Sequence, residues 1–343
     1  MTKRLGLFTR LVRPADDISA GQVYTDALAQ IELAQELGYD TAWVAQHHVD
    51  PAEGGLPSPL VFLAHAAARF ERIRLGTAII TLALEDPIRV AEDAAVLDSL
   101  SGNRLELGFG SGGSKSTFAL FGIDPEDKQR VYAEKLAKVT ATLAGQPLVA
   151  SPSGEGDWSL HPAAGTLANR VWHASFSADG ARRASEAGAG LLLSRTQPRS
   201  EAQRDAHIGE VQQPLIDAYL TALTGDGQPR IGASRSVFVA DDANEARELA
   251  ERGAVRFLNH LRTAGVVGMA STVDEILRDS YIGTPDQVAE ALGADRSVAQ
   301  ATDLIVQIHP VDPDQRTALR SIELIATKVA PQLGWRADNE RRQ

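Results

Sequence analysis

Two adjacent histidines, His47 and His48, end the run Leu37-Gly38-Tyr39-Asp40-Thr41-Ala42-Trp43-Val44-Ala45-Gln46-His47-His48. Imidazole titrates near neutrality, so a histidine just past a strand can give or take a proton. Neighbouring strand residues point to opposite faces, so one of the pair is expected to reach a pocket. The plainer reading is that both cap or pack a strand end. A second candidate is the turn Gly108-Phe109-Gly110-Ser111-Gly112-Gly113-Ser114, whose backbone N–H groups could face an anion. Its glycine spacing is not a dinucleotide fingerprint, and Lys115-Ser116 does not complete a P-loop. A third is Ala174-Ser175-Phe176-Ser177-Ala178, where hydroxyls stand at an expected helix start. Such a terminus seats phosphate, although Ser177 would serve equally as a simple N-cap. Farther along, Gln307 and His309 share a face by period-two alternation, and Arg195 follows another apolar strand-like run.

Other chemistries are poorly served. Adjacent histidines aim their rings apart, and no other His, Asp or Glu cluster converges in sequence, so no metal site is expected. The chain has no cysteine, which removes disulfides, thiolate zinc sites and thiol nucleophiles. No nucleophile-elbow motif supports a Ser-His-Asp site.

The elements that must position these residues alternate almost throughout. Strand-like runs are read at 4–9, 41–45, 73–80, 105–108, 170–175, 190–194, 235–240 and 303–308. Helical patterns are read at 21–37, 59–69, 87–100, 128–143, 178–186, 204–224, 243–257, 285–292 and 314–332. Short strands separated by helices demand right-handed parallel crossovers. Eight such units predict a closed (β/α)8 TIM barrel with extended loops at its C-terminal mouth, where barrels place their chemistry. A doubly wound open sheet is the runner-up. Residues 1–335 are read as one domain. A long connection at 259–283 forms an insertion between strands seven and eight, and 336–343 is a charged, fraying tail. His260 would sit on that insertion as part of a lid.

Composition sets the remaining bounds. The 343 residues are 43% hydrophobic and 23% charged, with a net charge of −11. That charge argues against nucleic-acid or anionic-membrane partners. No apolar stretch approaches a membrane span, and the apolar run after Met1-Thr2-Lys3-Arg4 is too short for a signal peptide. A soluble, cytoplasmic protein is expected.

Four segments, taken in order, resemble one family. They are residues 37–48, the run Leu-Gly-Thr-Ala-Ile-Ile-Thr-Leu at 75–82, residues 87–113, and Gly283-Thr284-Pro285 opening a helix. Together they resemble the bacterial luciferase-like flavin monooxygenases, strongly over 1–145 and more weakly over 170–195 and 280–335. The resemblance implies a barrel with a flavin at its mouth. Reduced FMN supplied by a separate flavin reductase would be used with O2 to oxidise a small organic substrate. Related proteins use a deazaflavin for hydride transfer, and a flavin-binding protein without turnover is a third reading.

The resemblance also assigns residues. It matches the family's catalytic histidine to His47. It places a non-proline cis peptide between Ala78 and Ile79, against the flavin ring. It places the FMN phosphate near Gly110 and Ser111 and in the Ala174, Ser175, Phe176, Ser177 turn. Two departures stand out: Ser111 replaces a phosphate-binding arginine, and Phe176 replaces an acidic residue. Arg195 is a candidate to supply the missing charge. Phe109, Arg195, Gln307 and His309 are candidate pocket residues, and Phe109, Phe118 and Phe121 would exclude water. By analogy a homodimer forms through the exposed faces of the helices at 59–69 and 87–100.

Overall fold

The computed structural model describes residues 3–12, 18–50, 52–154, 156–225, 227–263 and 270–335. The tail at 336–343 lies outside them. Strand β1 (Arg4–Thr9) leads to α1 (Ala20–Glu36), β2 (Thr41–Val44) and α2 (Pro59–Arg69). Then come β3 (Arg74–Thr77), β4 (Ile80–Thr81), α3 (Pro87–Leu100), β5 (Leu105–Gly110), α4 (Lys115–Leu120) and α5 (Lys128–Leu143). A small hairpin, β6 (Val149–Ala150) and β7 (Asp157–Trp158), precedes β8 (Val171–Ala174), α6 (Ala178–Glu186), β9 (Gly190–Leu193) and α7 (Ile208–Thr221). The last part holds β10 (Ile231–Val239), α8 (Ala243–Thr263), α9 (Val273–Leu277), β11 (Ser280–Gly283), α10 (Pro285–Gly293) and α11 (Arg296–Gln300). Strand β12 (Asp303–Gln307), α12 (Gln315–Leu324) and α13 (Ala330–Gln332) close the order.

The sheet closes on itself. Parallel pairing runs β12-β1-β2-β3-β5-β8-β9-β10 and returns from β10 to β12. This is the (β/α)8 barrel that the alternating pattern predicts. Among the described residues no helix is long and apolar enough to cross a membrane.

Two apolar layers hold it together. The outer layer lies between strands and helices and includes Leu5, Leu7, Ile31, Leu63, Leu75, Leu105, Leu107 and Leu191. The inner layer fills the barrel with Phe8, Trp43, Ala45, Trp172, Leu192 and Ile305. Trp43 and Trp172 meet edge to face at 5.8 Å and 87°. Glycines make room for them: a Cβ on Gly76 would collide with the Trp43 ring and one on Gly190 with the Trp172 ring. Below the tryptophans, Glu106 accepts from Trp172 Nε1 (2.7 Å) and pairs with Arg74 (2.7 Å), while Arg4 pairs with Asp303 (2.8 Å). Among the described residues these pairs plug the base of the barrel, and the cavity lies toward the carboxyl ends.

Three elements differ from the sequence reading. The expected strand at 73–80 is interrupted: the Ala78–Ile79 peptide is cis, and pairing resumes only at Ile80. Thr77 bridges the gap, its Oγ1 donating to Gly108 O (3.0 Å) and accepting from Gly108 N (2.8 Å). The seventh barrel strand starts earlier than the expected 235, at Ile231, because Gly232 and Ala233 pair with β9 and β12 at once. The connection at 259–283 is largely built. Its first residues finish α8, 273–277 are helical, and β11 pairs in parallel with the outer half of β10. Residues 264–269 within it lie outside the described residues.

Candidate active site

A cavity of about 1470 Å³ opens at the carboxyl mouth. It is lined from β1 by Phe8 and Arg10, from β2 by Gln46, His47 and His48, and from the β3–β4 junction by Ala78 and Ile79. The later strands add Gly110, Ser111, Ala174, Ser175, Phe176, Ser177, Arg195, Ser234 and Gln307. The cavity also extends between α5 and α6, past Tyr132, Leu136 and Arg183.

His47 lies beyond the end of β2, and its backbone N–H donates to Leu56 O (3.0 Å). The loop that follows returns Glu53 to the ring, with His47 Nδ1 3.5 Å from Glu53 Oε1. Arg10 fastens the same loop through Glu53 O, at 3.2 Å from Nε and 2.9 Å from Nη2. Burial and the nearby Arg10 hold the His47 pKa below its ordinary value, so the ring is neutral at neutral pH. The bond from His47, helped by Arg10, draws the Glu53 carboxyl down to about 2. A neutral ring with its proton on Nδ1 toward Glu53 keeps Nε2 as an acceptor.

His48 also lines the cavity, although strand alternation predicts only one of the pair. Both residues lie past the last paired residue of β2, where alternation no longer applies. Their rings do diverge: His48 packs on Phe121 with centroids 4.9 Å apart, and burial lowers its pKa. Among the described residues no group of three or more His, Cys, Asp or Glu side chains is placed to hold a metal ion.

Gln46 braces the cis segment. Its Oε1 accepts from Thr81 N (2.7 Å), and its Nε2 donates to Glu85 Oε1 (2.6 Å) and Pro57 O (3.1 Å). Across the mouth, a Cβ on Gly110 would sit 2.9 Å from the Ile79 side chain. Ile79 thus lies flat over that strand end. Ser111 Oγ accepts from Gln129 Nε2 (3.3 Å).

The turn before α6 is tightly wound. Ser175 Oγ donates to Ser177 O (3.0 Å) and accepts from Ser177 N (3.1 Å), and Ser177 Oγ accepts from Gly180 N (3.1 Å). Ser177 is therefore an N-cap, as any serine here could be, and it also faces the cavity. Arg183, in the last turn of α6, also lines the cavity and pairs with Asp179. Sequence reasoning misses its positive charge on the same cavity, because five residues separate it from Ser177. The same is true of Arg10, Gln46 and Glu53.

Arg195 sits elsewhere in the mouth, 5.8 Å over the ring of Phe257 from α8. Burial, with Arg10 adding to it, lowers its pKa to about 9, so it remains charged at neutrality. Gln307 lines the cavity and donates from Nε2 to Ser234 Oγ (2.9 Å).

Two pocket assignments are corrected. Phe109 is fully buried in the outer layer, because Glu106 and Gly110 occupy the inward positions of β5 and odd-numbered residues face the helices. His309 is not in the lining. Strand β12 ends at Gln307, so alternation stops, and the ring turns to Asp312 (Nδ1 to Oδ2, 2.7 Å) and Phe257 (4.6 Å). Of the other phenylalanines expected to exclude water, Phe118 is buried in the lining, whereas Phe121 is exposed and outside it.

This geometry can be set beside known proteins. A 4-hydroxyprotoasukamycin monooxygenase from Streptomyces nodosus subsp. asukaensis is 31% identical over 98% of this chain and 97% of its own. A limonene 1,2-monooxygenase from Rhodococcus erythropolis is 27% identical over 95% of this chain and 85% of its own. An F420-dependent glucose-6-phosphate dehydrogenase from Beutenbergia cavernae is 36% identical over 35% of this chain and 38% of its own. Among solved structures, monooxygenase RslO1 from Streptomyces bottropensis superposes with a TM-score of 0.78 at 24% identity, covering 96% of this chain and 99% of that one. The oxygenating constituent of 3,6-diketocamphane monooxygenase from Pseudomonas putida, in complex with FMN, gives 0.75 at 20% identity with the same coverage. The profile described as luciferase-like monooxygenase matches residues 4–300. The chain belongs to the luciferase-like monooxygenase family.

Proposed function

We propose that this chain is a monooxygenase that binds reduced FMN at the barrel mouth and uses O2 to oxidise a small organic substrate. The observation that carries the reading is one cavity shared by three features: His47, the Ala78–Ile79 wall and the hydroxyl-bearing start of α6. The residues present suit the cofactor. Gly110 and Ala78 are small enough to admit a flat ring close to the backbone. Ser177 with Ala174, Ser175 and Phe176 offers a helix N-terminus to a phosphate, and Arg183 offers a cation in place of the arginine missing at Ser111.

When bound, reduced FMN would supply the electrons that activate oxygen. The protein's part is to orient, to exclude water and to manage a proton. His47 Nε2 can take a proton from the reacting centre and return it, while Glu53 fixes the ring and stabilises its charged form. Buried Phe118 and the apolar Phe8, Leu192 and Ile305 keep the interior dry. In this reading a separate flavin reductase delivers the cofactor and the enzyme works as a homodimer.

A second reading, deazaflavin-dependent hydride transfer, draws on the F420-dependent relative. Anaerobic calorimetry with reduced FMN and reduced F420, followed by oxygen uptake, separates the two. Micromolar affinity for reduced FMN and flavin-dependent oxygen uptake are expected. Selective binding of F420 would transfer the assignment to hydride chemistry.

A further inference from the structure

Among the described residues, Arg195 is a cation with no acidic partner. It is only 8% exposed, yet among the described residues it has no hydrogen bond and no ion pair, only the ring of Phe257 beside it. A guanidinium carries five donors and cannot shed its charge at neutral pH. The residue lines the cavity, so its donors are available to an acceptor that enters the mouth.

The surrounding carboxylates are already engaged. Asp312 is bonded to His309 (2.7 Å) and lies 3.6 Å from Arg256, and Asp279 is paired with Arg199 (2.8 Å). The Glu53 carboxylate faces His47 (3.5 Å), while Arg10 holds the Glu53 main-chain carbonyl. Arg10 adds a second positive charge to the same mouth and does not neutralise the first. The Arg195 turn is also held in advance. Gln212 Nε2 donates to Ser194 O (2.7 Å), and Gln197 Nε2 donates to Phe176 O (2.9 Å). The lining also offers an apolar surface, with Phe8, Leu192 and Ile305 at the inner end beside polar Gln307 and Ser234.

We propose that the substrate is an apolar organic acid whose carboxylate pairs with Arg195 while its hydrocarbon body occupies the barrel mouth. The proposal deepens the monooxygenase reading and rests on it for the identity of the site. A planar fork of donors matches a carboxylate with two parallel bonds, and an amide of the same shape lacks the charge. The competing acceptor is the flavin itself, whose ring carries carbonyl oxygens.

Calorimetry distinguishes these. Octanoate and benzoate are titrated against octanamide and benzamide, into the free protein and into the FMN-loaded protein. Each acid is expected to bind at least tenfold tighter than its amide. Arg195→Met should abolish that preference while FMN affinity stays within threefold, and Arg195→Lys should restore part of it. Equal affinity for acid and amide, including no detectable binding of either, overturns the proposal. So does an Arg195→Met variant that loses FMN and leaves the acid preference intact. If FMN fails to bind but the free protein still prefers acids, the cofactor reading falls and the acid site stands.

Discussion

A proton-managing histidine needs one nitrogen fixed and the other free, and His47 meets both conditions through Glu53. His47→Asn keeps a similar size but cannot take up a proton at Nε2. It is expected to lower kcat by about 100- to 10,000-fold, the usual worth of a general acid or base. FMN affinity measured by fluorescence quenching should stay within threefold, and unchanged turnover would remove His47 from the mechanism. Glu53→Gln should act more weakly: it removes a carboxylate that raises the His47 pKa, so the acid limb of the kcat profile should move to lower pH, with little change at high pH, where the ring is neutral in both proteins. At this scale much of the site is legible in the chain. His47 and Ser177 lie just past strand ends that their neighbours announce, whereas the run at 73–80 reads as one unbroken strand and the Ala78–Ile79 cis peptide is expected only from the family resemblance. Arg10 and Glu53 are not legible, because their meeting depends on a loop folding back across 43 residues of sequence. Phe109 shows the opposite case: simple alternation from Gly110 would have turned it outward.

Elements carry the site only where their junctions are fixed. Arg235 of β10 is fully buried and binds Asp295 (Nε to Oδ2, 2.6 Å) and Gln212 of α7 (Nη2 to Oε1, 2.9 Å). Tyr281 of β11 donates to the same carboxylate (2.5 Å), and Gln212 passes the connection to Ser194, next to Arg195. Asp295→Ala leaves the Arg235 charge uncompensated and is expected to cost about 3–5 kcal/mol in urea unfolding. A loss under 1 kcal/mol would show that water replaces the carboxylate. The bounds of α3 are legible because its cap is local: Asp86 accepts from Ile88 N and Arg89 N just before Pro87 opens the helix, whereas α8 runs on to Thr263, past the expected 257. Strand β11 was not legible. Four residues are too few to show a period, and its pairing with β10 is set by the barrel and not by its own sequence.

Across the whole molecule, acid should weaken the fold by a route that net charge does not predict. The chain is at −11 near neutrality, so mild acid reduces its self-repulsion and would by itself favour the compact state. Buried histidines act the other way. Burial, with Arg230 contributing, lowers His173 to about 4, and burial with Arg195 beside it lowers His309 to about 3. Both folded values lie below the ordinary value of 6.5. The unfolded chain therefore takes up protons first as pH falls. Their contribution is fully present above about pH 6.5 and is lost progressively toward pH 4 and 3. Two such groups cost up to about 4 kcal/mol between pH 6.5 and 5, and the depressed Glu53 carboxyl adds to this only below its ordinary range. Urea titrations at constant ionic strength should show a lower midpoint at pH 5 than at pH 7. His309→Asn removes one of the two protons and should flatten that dependence by about half. Coincident midpoints at the two pH values would mean that these rings take up protons in the folded barrel, and that the interior around them is wetter than its packing implies.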